Sequence, residues 1–535
     1  MIFESSLSNK AIPHISTYSL LFENNLGYER SRVCYTNAEE QNETLTFGEI
    51  HDITLKFGAG LKRLIPDFQQ GDVVAFITKT ELTYLAAVHG PVAIGGVSAS
   101  IDATFDVNKM IHCLQLINPR VLIVSPDTIE KALEATSLMN MPKEKIFVFG
   151  DQDINDCRSF NKAFLDHDQF ATPIVYTPEE LSRVPCFYCF TSGTTGKPKA
   201  VIITHRMIVA TTLGMELNDL TSSTHFLSMS APHHVSIIYV LMHMHLYFGF
   251  HTYVLKQEET TEKIFKTIQD CNIHILFVPP RIIATMAKES TLYNISSLKV
   301  ITCGGSVMNK DVALMIYQRF KIPVVNFYGM TEVMGPFKNG FDYTIAGQIG
   351  VLKPGFSCKL IDKEGKMVGF DTPGELCIKG PSLTQGYYNN QEIFNQLIHK
   401  DGFFQTGDLF QCSQDGIFSF INRATDIIKY KSNFINPQDI ENVLMKHPLV
   451  IDCAVVSSFS EEETVYVPRA FALLLNNDNH TEVKKEMLEM VKIQLPDVMQ
   501  LRGGLYIAKT LPRTSTGKVE RRVLRLTTIE NWILN

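Results

Sequence analysis

Short apolar runs of strand length, recurring through the first 330 residues, constrain the fold most. Val73–Ile77 (Val-Val-Ala-Phe-Ile) and Val121–Val124 (Val-Leu-Ile-Val) lack the polar alternation of a half-exposed strand, so they predict strands buried on both faces. Residues 146–149, 274–278, 300–302 and 324–327 are further strand candidates. Residues 81–88 suit a helix, which Gly90-Pro91 is expected to interrupt. This alternation predicts an α/β protein: a large N-terminal domain of parallel-rich sheets with flanking helices. After about residue 340 the texture changes. Gly347, Gly350, Gly355, Gly365, Gly369, Gly374, Gly380 and Gly386 punctuate short strands, predicting an antiparallel, β-barrel-like region. A third texture starts near Arg423. Asn436 suits an N-cap, Pro437 the first helical position, and Ile440, Val443 and Leu444 share one helical face. Strands at 453–456 and 471–475 and a helix at 482–495 complete a small, mobile α+β C-terminal domain. The expected division is 1–422 and 423–535, with a hinge at 422–426.

Composition narrows the class. The chain has 535 residues, 45% hydrophobic and 20% charged, enough for large packed cores. A net charge of -7 argues against a nucleic-acid partner. The 11 scattered cysteines fit free thiols in a reducing compartment. The N-terminus lacks a basic, then apolar, leader, and the chain does not end in a peroxisomal Ser-Lys-Leu, so an intracellular, cytoplasmic location is expected. The apolar stretch 235–250 is shorter than the ~20 residues of a membrane span and carries His243 and His245; it predicts a buried helix and no transmembrane segment. Cys186 and Cys189 form a lone CxxC on a predicted strand, where residues three apart should face opposite ways. Arg521, Arg522 and Arg525 suit a solvated or nucleotide-adjacent face.

The most informative stretch runs from Phe190 to Ala200: Phe-Thr-Ser-Gly-Thr-Thr-Gly-Lys-Pro-Lys-Ala. Glycines let backbone N–H groups approach an anion, hydroxyls add donors, and lysines supply mobile charge. The Gly193 to Gly196-Lys197 spacing is too short for Walker A, which disfavours a P-loop NTPase but not triphosphate binding.

This segment resembles the signature loop of the adenylate-forming superfamily: acyl-CoA synthetases, 4-coumarate–CoA ligases and beetle luciferases. Further motifs follow in that family's order. The resemblance implies ATP binding by Thr191, Ser192, Gly193, Thr194, Thr195 and Lys199. It implies an adenine-side loop at Gly304-Gly305-Ser306. Tyr328-Gly329-Met330-Thr331-Glu332 resembles YGxTE, implying adenine stacking on Tyr328, a phosphate contact from Thr331 and magnesium held by Glu332. Thr406-Gly407-Asp408 resembles the TGD motif, with Asp408 on the ribose hydroxyls, and Arg423 resembles the arginine closing on the nucleotide. Residues 512–518 resemble the closing motif, whose Lys518 reaches the reacting carboxylate and α-phosphate. His233-His234-Val235 resembles PxxH, with the proline shifted to Pro232; His234 is then a gate to the acyl tunnel, against the alternative of a satisfied core histidine.

The implied reaction joins a small-molecule carboxylic acid, fatty, aromatic or otherwise apolar, to the α-phosphate of ATP and releases pyrophosphate. The resemblance implies a second step in which coenzyme A attacks the adenylate after the small domain rotates, with Lys429 and Lys431 available to the coenzyme. Departures cluster on that second face: Thr425 in the hinge, Ser432 where relatives have glycine, and Phe434 where 4-coumarate–CoA ligases have glutamine. A Cβ at Ser432 is expected to crowd the thiol channel. Luciferase-type oxidation and transfer to a non-CoA acceptor stand as alternatives.

Overall fold

Two seven-stranded sheets form the body of the N-terminal part. The computed structural model describes the whole chain except residues 9–10, 25, 80, 192–196, 216–219, 230, 256–259, 476–478, 515–516, 527–531 and 533–535. In the first sheet, Val73–Ile77 lies centrally between Val97–Ser100 and Val121–Val124, all parallel. Pro185–Thr191 joins in parallel, and Lys199–Thr204 folds back antiparallel at the edge. Alternation along Val73–Ile77 explains why this strand is apolar throughout. Val74 and Phe76 enter one core cluster, whereas Val73, Ala75 and Ile77 enter another on the opposite face. The second sheet runs Val324–Phe327, Val300–Gly304, Ile275–Phe277, His225–Ser228, His251–Val254 and Val33–Asn37 in parallel, ending with antiparallel Thr44–Thr46.

The long helix Phe47–Leu64 starts with a capping box between Thr46 and Glu49 and packs into the core between the sheets. Gly90-Pro91 does not interrupt the helical run as expected. After a one-residue turn at Val88, the chain resumes as the helix His89–Ala93. The bare Gly90 backbone admits the Phe57 ring; a Cβ there would lie 2.6 Å from it. The stretch 235–250 is buried as predicted, as a wide-turned helix Ile237–His245 followed by Leu246–Phe248. Among the described residues, no helix is long and apolar enough to cross a membrane. All 11 cysteines are free and buried. Cys186 and Cys189 do not face opposite ways; both enter the same core cluster. Pairing jumps from Phe187↔Ile203 to Pro185↔Thr204, so Cys186 is the extra residue of a bulge that reverses its direction.

The glycine-punctuated region is a five-stranded antiparallel sheet, Ser357–Ile361, Gly374–Lys379, Phe404–Cys412 and Phe418–Arg423, with Ile2–Glu4 from the chain start on one edge. Arg423 closes its last strand, and a new hairpin, Ile428–Tyr430 with Asn433–Ile435, begins the C-terminal part. There Val450–Ser460, Val465–Leu474 and Leu505–Ile507 form a sheet backed by Pro437–Met445 and His480–Gln494. Asn436 caps the first of these helices, accepting from Gln438 N.

Candidate active site

The C-terminal ends of the second sheet, the edge of the antiparallel sheet and the closing loop of the small domain border one cleft of about 1560 Å³. Asp408 anchors one end of it. It lies on Phe404–Cys412, is 3% exposed and is paired in register with Arg423. Tyr328 donates its O–H to Asp408 Oδ2 at 2.8 Å. Arg423 Nε lies 3.1 Å from Asp408 Oδ1, yet off the line of a hydrogen bond, so Oδ1 has no aligned donor among the described residues. A buried carboxylate oxygen in that state suits an incoming hydroxyl donor. The Tyr328 ring is braced edge-on by Phe410 at 4.9 Å and Phe337 at 5.7 Å. Burial, followed by the charge of Asp408, pushes its phenol well above the ordinary value, so it stays a donor.

Thr331 and Glu332 occupy the tip of a tight turn. Met330 and Val333 exchange both backbone hydrogen bonds across it, at 3.0 and 3.1 Å. Glu332 is 6% exposed and accepts from the Tyr387 hydroxyl at 2.7 Å. The Lys199 ammonium sits 5.0 Å over the Tyr387 ring, giving a lysine–tyrosine–glutamate chain along the cleft. No motif spacing pointed to Tyr387, which lies 55 residues from Glu332. Among the described residues, no group of three or more His, Cys, Asp or Glu could hold a metal by itself. A single cleft carboxylate such as Glu332 nevertheless fits magnesium, which keeps waters and takes substrate phosphates as its other ligands.

Thr191 and Lys199 pair directly across the two strands that flank the signature loop. Ser192, Gly193, Thr194 and Thr195 lie outside the described residues. Gly304 ends its strand opposite Phe327, and Gly305 turns away with φ +77°, leaving Ser306 exposed at the cleft.

Lys518 comes from the small domain. Thr514 N donates to Lys518 O, and Gly517, at φ +84°, donates to Thr514 O, so the closing motif curls tightly. Arg513 braces it, donating to Gly517 O at 2.6 Å and ion-pairing with Asp452. The Lys518 side chain then reaches across the cleft, with Cε 3.7 Å from where a Gly305 Cβ would stand. Burial, followed by the Arg423 charge, lowers its pKa; Asp408 and Glu332 oppose this. His234 lies on the same cleft, with Nδ1 2.5 Å from Ser236 Oγ. Burial, then His233 and Lys518, hold it down to about 3, so it is a neutral ring.

Contacts between the two parts hold this arrangement. Lys288, ending the helix Pro280–Lys288, donates to the carbonyls of Met445, the last residue of the helix Pro437–Met445, and His447 at 2.9 Å, and to that of Val450, which starts the strand Val450–Ser460. Asn309 donates to Asn442 at 3.0 Å and Asn422 to Asn436 at 2.7 Å. No sequence signal marked Lys288, Asn309 or Asn442. Arg521 forms a bidentate pair with Glu441, and Arg525 pairs with Asp426, so neither is the solvated cation one reading allowed. Lys429 and Lys431 are not brought to the cleft. Lys429 is exposed, and Lys431 pairs with Glu463 at 3.0 Å. Ser432 and Phe434 are exposed beside them, with the Lys363 ammonium over the Phe434 ring.

The model of the AMP-binding enzyme family matches residues 22–388, and that of the AMP-binding enzyme C-terminal domain matches 439–518. A probable 4-coumarate–CoA ligase 2 of Dictyostelium discoideum is 28% identical, over 90% of this chain and 91% of its own. A luciferin 4-monooxygenase of Photuris pensylvanica is 27% identical over 92% and 91%. Among solved structures, an anthranilate CoA ligase in complex with anthranoyl-AMP superposes with a TM-score of 0.86 at 20% identity, covering 95% of this chain and 96% of that one.

Proposed function

The chain belongs to the AMP-binding enzyme family, and from that premise we propose that it activates a carboxylic acid with ATP, releases pyrophosphate, and passes the acyl group to coenzyme A. The observation that carries this reading is Lys518, delivered by the small domain into the cleft that also holds Asp408, Tyr328, Thr331 and Glu332.

Each group has a physical task in this proposal. The Tyr328 face takes the adenine, and Asp408 accepts from the ribose hydroxyls. Thr191, Thr331 and Lys199 hold the phosphates. Magnesium, when bound, would draw negative charge from the triphosphate, and Glu332 would hold it. As the acid's oxygen bonds to the α-phosphorus, charge grows on the phosphoryl oxygens and the departing pyrophosphate. Lys518, partly withdrawn from water, is positioned to offset that charge, which is where a fixed cation acts most strongly. Rotation about 422–426 would then take Lys518 out and bring the face of Lys429 and Lys431 toward the coenzyme.

The test is acid-dependent pyrophosphate release with hydroxylamine trapping, using 4-coumarate, benzoate, phenylacetate and decanoate, followed by mass detection of the CoA thioester. A hydroxamate from at least one acid supports adenylation, and its thioester supports the CoA step. Pyrophosphate release that no acid stimulates would overturn the proposal.

A further inference from the structure

We propose that Tyr387 is a positioning residue of the metal site: its hydroxyl holds one oxygen of Glu332, so that the carboxylate offers the other alone and takes magnesium in preference to calcium. This rests on the reading above, in which Glu332 holds magnesium, and deepens it.

The backbone around Tyr387 is stitched between the two elements that carry Glu332 and Lys199. On one side, Thr384 N donates to Glu332 O at 2.8 Å, and Leu383 bridges Val333. On the other, Tyr387 bridges Val201, Ile202 N donates to Gly386 O at 3.1 Å and Tyr388 N donates to Ala200 O at 2.8 Å, all against the strand Lys199–Thr204. Thr384 Oγ1 adds a bond to Ile202 O at 2.6 Å. The Tyr387 ring is 4% exposed and packs with Val201, Phe394 and Phe404, meeting Phe394 edge-on at 5.7 Å. Backbone and ring are thus both held, and the hydroxyl is delivered to Glu332 Oε1 at 2.7 Å.

Glu332 Oε2 accepts no hydrogen bond from the described residues. A carboxylate with one oxygen committed to a phenol is a one-oxygen ligand of fixed orientation. Magnesium demands near-octahedral geometry and keeps several waters, which a one-oxygen ligand permits. Calcium takes carboxylates through one oxygen or two, in a looser shell. A carboxylate released from Tyr387 could swing and chelate through both oxygens, which suits calcium and not magnesium. Outer contacts of this kind fix the ligand and are typically worth ~10- to 100-fold in metal affinity. Phenylalanine at this position would keep a ring beneath the Lys199 ammonium, now 5.0 Å from the Tyr387 centroid, and would remove only the hydroxyl.

The experiment titrates manganese, read by electron paramagnetic resonance, into the enzyme with α,β-methylene-ATP, which cannot release pyrophosphate; calcium is then competed against the bound manganese. Tyr387→Phe should weaken manganese by about 10- to 100-fold and calcium by far less. In the pyrophosphate assay the half-saturating magnesium concentration should rise by a similar factor, and kcat at excess magnesium should fall less. Glu332→Gln should also weaken manganese. Adding Tyr387→Phe to Glu332→Gln should cost nothing further, since the hydroxyl acts through that carboxylate. Tyr387→Leu is measured alongside, so that a folding defect in one variant leaves another to decide. It should show the same metal shift and also a raised KM for ATP, because Lys199 loses its ring. Wild-type metal affinities in Tyr387→Phe, equal losses of manganese and calcium, or additive losses in the double variant would overturn the assignment and leave Glu332 as the metal holder. Wild-type manganese affinity in Glu332→Gln would remove the magnesium part of the parent reading and this inference together.

Discussion

Mild acid should unfold the N-terminal part of this protein well before the C-terminal part. His89, His205, His243 and His245 are each 3% exposed or less. Burial holds His205 and His245 down to about 3 and His243 to about 4, with His89 well below its ordinary 6.5. Their contacts suit neutral rings: His89 and His243 meet edge-on at 5.2 Å, and His245 Nδ1 lies 2.8 Å from Thr252 Oγ1. The folded chain therefore excludes protons that the unfolded chain accepts below 6.5. Stability is fully present above 6.5 and declines as the pH falls from there toward 4. Between pH 7.5 and 5.5 each ring should remove about 1.4 kcal/mol, so the four together remove about 5 kcal/mol, comparable with the whole stability of many domains. Guanidinium titrations followed by far-ultraviolet circular dichroism at pH 7.5, 6.5 and 5.5 give the magnitude. Hydrogen exchange gives the location: protection should drop across 73–124 and 225–254 while 450–474 keeps its own. Equal unfolding free energies at pH 7.5 and 5.5 for the N-terminal part would refute the reasoning, since these rings would then be titrating normally in the folded state.

Lys518→Ala should reduce acid-dependent pyrophosphate release by about 100- to 1000-fold, ~2.7–4 kcal/mol, with ATP affinity changed only a few-fold; parallel binding and turnover measurements check this. Asp408→Ala should raise the KM for ATP more than it lowers kcat, because a ribose contact is shared by ground and transition states; steady-state kinetics in ATP decide. Lys288→Met removes an ammonium from three carbonyls at the domain junction. It should weaken the present arrangement by about 1.5–3 kcal/mol, seen as faster proteolysis at 422–428 and slower adenylation. Ser432→Gly should speed transfer to coenzyme A from preformed adenylate and leave adenylation nearly unchanged; identical transfer rates would show that the serine does not crowd the channel.

Much of the fold was legible locally. Val73–Ile77, Val121–Val124, Val324–Phe327 and the Asn436-capped helix formed where the pattern placed them, because strand burial and helix capping act over a few residues. The failures were also local in appearance but tertiary in cause. Gly90-Pro91 sits inside a helical run because Phe57 packs onto it, and Cys186 turns inward because its strand bulges against Ile203. In the cleft, Tyr328, Thr331, Glu332, Asp408 and Lys518 could be named from motifs, since each chemical task demands a residue type within a short, recognisable frame.

The sequence by itself placed the buried strands of the first sheet and singled out Lys518, which the fold carries into the cleft. Only the tertiary structure decided that Tyr387 steadies Glu332, that Asp102 underlies His233 and that Lys288 clasps the small domain. Those pairs are separated by 55, 131 and 159 residues. No propensity or spacing links such positions; they meet because sheet order and helix packing bring distant segments together, and a buried charge then takes whichever partner stands within hydrogen-bonding reach.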